Sequence, residues 1–129
     1  MKDGNIEILD LDFEYKLWKN KLQFYHKELE LMKRRVEVLE KEQSGFLFDE
    51  KQHITLEKQQ EALELAKNKI KTMEFEMGYY AVDYPISYKH SHYTEHEKIR
   101  DEIKRINEAQ QYILHNIYPL LCFPFNPNK

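Results

Sequence analysis

Three long stretches of this chain contain neither glycine nor proline, and nothing constrains its fold more. Glycine stands only at 4, 45 and 78, and proline only at 85, 119, 124 and 127, which leaves 5–44, 46–77 and 86–118 uninterrupted. Glycine frees the backbone and proline removes a hydrogen-bond donor, so both mark where regular structure stops. The stretches between them are rich in Glu, Lys, Leu, Gln and Ile. Three helices are expected, at about 11–43, 49–82 and 95–118, with a link over 83–94 and an apolar, proline-rich tail over 119–129.

Hydrophobic spacing says the same. The first stretch alternates steps of three and four through Tyr15, Trp18, Leu22, Tyr25, Leu29, Met32, Val36 and Leu39. The second does so through Leu56, Gln59, Leu63, Ala66, Ile70, Met73, Met77 and Tyr80, and the third through Ile99, Ile103, Ile106, Gln110, Ile113, Ile117 and Leu120. Such steps lay a seam along one side of a helix, as in bundles and coiled coils. Gln59 and Gln110 break the apolar pattern; they either fix register or reach the bundle edge. Thr94-Glu95-His96-Glu97 has capping-box spacing, which places a helix start near Thr94. Gln43-Ser44-Gly45 suits a helix end and Asp49 suits the cap of the next. Short links favour antiparallel neighbours. The expected fold is all-α, a long antiparallel three-helix bundle with coiled-coil-like seams, in one domain spanning 1–129.

Charge and composition narrow the function classes. Net charge is -3, with 20 basic and 23 acidic residues interspersed and Lys33-Arg34-Arg35 the only basic run. A nucleic-acid binder would gather basic residues on a face, so none is expected. No apolar run approaches the roughly 20 residues that span a bilayer. The opening MKDGNIEILDLDFEYKLW carries acidic residues where a signal peptide needs an unbroken apolar core, so the expected compartment is the cytoplasm. Cys122 is alone, which rules out an internal disulfide and a cysteine-based zinc pattern.

The first helix carries a second stripe. Leu17, Phe24, Leu31 and Val38 recur every seven residues, about 100° around the helix from the nearest seam position. Burying four such side chains contributes on the order of 6–12 kcal/mol before entropy, at ~1.5–3 kcal/mol each. Two covers compete. Either the ILDLDF or LLCFPF segment folds back over a central first helix, or another protein molecule docks there. Tyrosines add a second candidate surface: Tyr79, Tyr84 and Tyr88 flank Pro85 and could either close the bundle end or meet a partner.

Six histidines raise the question of chemistry. His92 and His96 are four apart, the spacing that puts two ligands on one helix face. They continue the third seam backwards, so they point inward if that helix starts early enough. Asp12, Glu14 and Asp83 are candidate oxygen donors at the same level, and two histidines with a carboxylate suit Zn or Fe. His26, with Glu30 four residues on, lies roughly 15 Å further along and cannot share that site. If Thr94 is the cap, His92 precedes the helix and the pair loses its geometry. The chain has no glycine-rich phosphate loop and no nucleophile motif. The leading expectation is therefore a non-catalytic protein that works through contacts with a partner or with itself. The alternative is a metal-binding helical protein using His92 and His96.

Overall fold

The computed structural model describes residues 5–79, 85–87 and 89–122. Their order is strand β1 (Asn5–Glu7), helix α1 (Ile8–Glu42), helix α2 (Glu50–Met77), strand β2 (Pro85–Ser87), helix α3 (Ser91–Asn116) and a 3-10 turn (Tyr118–Leu121). The fold is an all-α bundle of three helices, as the spacing implies.

Cross-helix partners give the topology directly. Lys19 donates to Glu74 at 3.0 Å and His53 meets Glu40 at 3.0 Å, so positions rise along α1 as they fall along α2. Tyr25 donates to Asn107 at 2.8 Å and Arg35 Nε donates to the Leu121 carbonyl at 3.2 Å, so α1 and α3 run parallel. The chain goes up, down, up. α2 packs closely against both neighbours along its length, whereas α1 and α3 approach each other at fewer places. The central helix is therefore α2, not α1.

The seams are the core. Every position from Tyr15 to Leu39 in the first seam is buried, as are Leu56 to Met73 in the second and Ile99 to Ile117 in the third. Met77 is half-buried, Tyr80 lies outside the described residues, and Leu120 is exposed. The α-helix ends at Asn116 and Pro119 sits in a tighter turn, so the phase advances and Leu121 enters the core while Leu120 stays 37% exposed.

Local signals set the ends. Asp49 caps α2 reciprocally: its side chain accepts from the Gln52 N–H at 2.8 Å, and its own N–H donates to the Gln52 side chain at 2.9 Å. The α1–α2 turn passes through Gly45 at φ 90°, a conformation that other residues adopt only with strain. Gln59 and Gln110 are both buried and bonded to each other. The Gln59 amide donates to Gln110 Oε1 at 2.9 Å and to the Ile106 carbonyl at 3.0 Å, and Gln110 donates to Glu28 at 2.9 Å. A slip of one helix turn would strand these amides, so they fix the register of α2 against α3.

Two elements depart from expectation. β1 and β2 pair antiparallel, with Asn5 opposite Ser87, Ile6 opposite Ile86 and Glu7 opposite Pro85. Ile6 and Ile86 face the core. The link between α2 and α3 is thereby tied to the start of α1. The start of α3 also differs, and it decides the fate of the histidines.

Candidate functional site

α3 begins at Ser91, not near Thr94. Its cap is His90, whose ring Nδ1 accepts the His92 backbone N–H at 3.0 Å. Thr94 lies inside the first turn, where its hydroxyl donates back to the His90 carbonyl at 3.2 Å. Ser and Thr make such backward bonds once a helix is already formed around them. Starting early puts His92 and His96 on one inward face, and both are 0% exposed.

Each histidine meets a carboxylate. A carboxylate can only accept, so His92 donates through Nδ1 to Glu76 at 3.1 Å and its Nε2 meets the Tyr15 hydroxyl at 3.2 Å. His96 donates through Nε2 to Glu14 at 2.8 Å. Arg100 grips the same carboxylate with two nitrogens, its Nε at 3.2 Å from Oε2. Aromatic rings wall the cluster: Tyr15 stands edge-on to His96 with centroids 4.7 Å apart, Trp18 leans over it at 4.8 Å, and Tyr93 lies nearly parallel at 6.2 Å. One atom is left over. His96 Nδ1 is buried and has no hydrogen-bond partner among the described residues.

The electrostatics follow from this packing. Burial holds the His96 imidazole below its ordinary pKa, outweighing the upward pull of Glu14. Burial alone would push the Glu14 carboxyl up, but Arg100 and His96 together hold it below its usual value. Burial drives the Tyr15 phenol well above its normal range, and Glu76, Glu14 and Glu74 add to the effect. Tyr15 is therefore a proton donor at neutral pH and not a phenolate nucleophile.

Of the expected metal donors, His92 and His96 share the inward face and Glu14 meets His96. Asp12 pairs with Lys16 at 2.7 Å, one turn along its own helix, and Asp83 lies outside the described residues. Among the described residues, no three His, Cys, Asp or Glu side chains form a group that could hold a metal ion. His26 pairs with Glu30 at 2.8 Å on the surface, as their spacing suggests. Among the described residues, the polar side chains of the histidine end are paired apart from the one bare nitrogen.

The stripe on α1 is different, because it is open. Leu17, Phe24, Leu31 and Val38 are 43–66% exposed, and Leu9 and Phe13 extend the same line toward the start of the helix. Six large apolar side chains thus run from residue 9 to residue 38, about 44 Å at ~1.5 Å per residue. They lie well round the helix from the buried seam. Sequence spacing found four of the six. Leu9 and Phe13 escaped it because they continue the line at steps of four, not seven. An open groove borders the stripe, lined by Leu17, Phe24, Tyr25, Gln111 and Leu114 among others. Tyr79 is 76% exposed and stands edge-to-face with the exposed Phe75 of α2, at 5.8 Å. Tyr84 and Tyr88 lie outside the described residues.

No helix among the described residues is long and apolar enough to cross a membrane. In comparisons with known proteins, no family model, no curated protein and no solved structure matches the chain.

Proposed function

We propose that this protein works by contact, docking a helical partner along the outer face of α1. The carrying observation is the line of six exposed apolar side chains from Leu9 to Val38 on a helix whose other side is fully packed. An isolated exposed leucine means little, whereas a continuous apolar stripe marks an interaction surface. Seven-residue recurrence is the spacing that a second helix lying alongside reads. The buried histidine cluster supports the face from behind: it holds the first third of α1 rigidly against α3 through Tyr15 and Glu14.

The test is cross-linking in cells. A photo-reactive phenylalanine in place of Leu31 should give a protein adduct, while the same group at the exposed Lys58 of α2 should not. Adding Phe24→Asp should abolish the adduct without unfolding the chain. Equal labelling from both positions, or none from Leu31 in folded protein, defeats the reading.

A further inference from the structure

Two side chains fasten the start of α3. Over residues 91–98, about two turns, the buried positions are His92 and His96, and the first buried apolar residue is Ile99. Of all the side chains buried among the described residues, these two alone are of a type that titrates near neutral pH. The other buried polar residues, Gln59 and Gln110, stay neutral at every pH.

The two rings would take up a proton differently. His92 Nδ1 donates to Glu76 and its Nε2 meets the Tyr15 hydroxyl, so a charged His92 finds an oxygen at either end. His96 Nε2 donates to Glu14, whose carboxylate Arg100 already grips. A second proton on His96 must go to Nδ1, beside the rings of Tyr15, Trp18 and Tyr93 and without an acceptor among the described residues. Ring faces attract a cation, but less than the water it has given up. The titratable and charged groups around His96 are Glu14 and Tyr15 of α1, Glu76 of α2 behind His92, and His92, Tyr93 and Arg100 of α3. The buried side chains of the ribbon, Ile6 and Ile86, carry no charge. Among the described residues no three groups converge on a metal ion, so the histidines stand as histidine–carboxylate pairs.

We propose that this end of the bundle is an acid-released clasp: protonation of His96 at Nδ1 frees the first two turns of α3 from α1, while the bundle from Ile99 onward stays packed. Once the histidines leave the core, no buried residue holds 91–98, and two turns of helix do not persist unaided. Arg100 remains on Glu14 and marks where the opening stops. Burial holds the closed imidazole below its ordinary pKa in spite of Glu14, so the open end binds the proton better. The open fraction therefore rises below about pH 6.5, by up to about tenfold per pH unit, until the closed imidazole titrates as well. At higher pH the clasp is shut. Opening bares Tyr15 and Trp18, both buried when it is closed.

Residue-resolved hydrogen exchange tests this on the full chain in chelator-treated buffer from pH 7.5 to pH 5, with each rate corrected for its intrinsic pH dependence. The amides of residues 95–98 should be less protected than those of 103–113 at every pH, which marks an opening smaller than global unfolding. Their protection should fall severalfold, up to about tenfold, for each pH unit below about 6.5. His96→Gln keeps an amide for Glu14 and does not titrate, so it should lose that dependence; if it fails to fold, His96→Leu serves the same purpose. Protection of 95–98 that ignores pH overturns the proposal, as does the same fall in the variant that does not titrate. Protection equal to that of 103–113 overturns it too, because the end then opens only with the whole bundle.

Discussion

Replacing His96 with leucine should leave the protein about as stable at pH 7.5 and more stable than the wild type in acid. Two opposed terms set the neutral value. The variant loses a hydrogen bond to the Glu14 carboxylate, a contact to a charged group worth about 1.5–3 kcal/mol. It also removes the bare Nδ1, whose burial costs about 1–3 kcal/mol. Glu14 keeps Arg100, so no carboxylate is stranded. The terms cancel to within about 1 kcal/mol. For a chain of 129 residues, with unfolding entropy near 2.1 cal/mol/K per residue, that is about 4 °C in Tm. The pH dependence does not cancel. Burial holds the folded imidazole below its ordinary pKa of 6.5, so the unfolded chain takes up a proton first as the pH falls. Wild-type stability should therefore drop below about pH 6.5, by up to ~1.4 kcal/mol per pH unit, until the folded imidazole titrates too. The His96→Leu profile should lack that component. Urea denaturation followed by circular dichroism, repeated from pH 8 to pH 5, measures the difference. Parallel profiles for the two proteins, or a loss beyond ~3 kcal/mol at pH 7.5, would refute the account of the orphan nitrogen.

Three further outcomes follow from the packing. Gln59→Leu and Gln110→Leu should each cost about 1–3 kcal/mol by stranding the other's amide, whereas the double variant should cost less than their sum; additive losses in a denaturant double-mutant cycle would mean the pair is uncoupled. Asp49→Ala should cost about 1 kcal/mol, or roughly 4 °C in melting temperature, through loss of the cap on α2. Ile86→Ala, at a fully buried strand position, should cost about 2–5 kcal/mol in chemical denaturation, and a loss below 1 kcal/mol would show the ribbon to be ornamental.

The helices were legible because their signals are local and repeated. A seam such as Tyr15 to Leu39 restates itself every turn, and the Asp49 cap lies within three residues of its partner. The stripe was legible for the same reason. What escaped was non-local or brief. The strands Asn5–Glu7 and Pro85–Ser87 are three residues each, too short for alternation to register, and their pairing depends on chain segments far apart in sequence. The start of α3 was misplaced because Thr94-Glu95-His96-Glu97 has cap spacing while the actual cap is a histidine ring, a residue outside the usual capping set. Three residues of helix turned His92 from a loop residue into a buried one. Its partners Tyr15 and Glu76 lie on two other helices, where no spacing rule reaches.

The partners of the histidine cluster also fix when it forms. α1 with α2, and α2 with α3, are neighbours in sequence. Tyr15 and His92 stand 77 residues apart, and Glu14 and His96 stand 82 apart. Contacts of that separation repay their loop-closure entropy only after the rest of the bundle has assembled. Tyr25 with Asn107 and Arg35 with Leu121 are as far apart, so the whole α1–α3 face closes late, the histidine end with it. The start of α3 is also a helix end, so amide exchange should release it before the isoleucine-lined middle from Ile99 to Ile113.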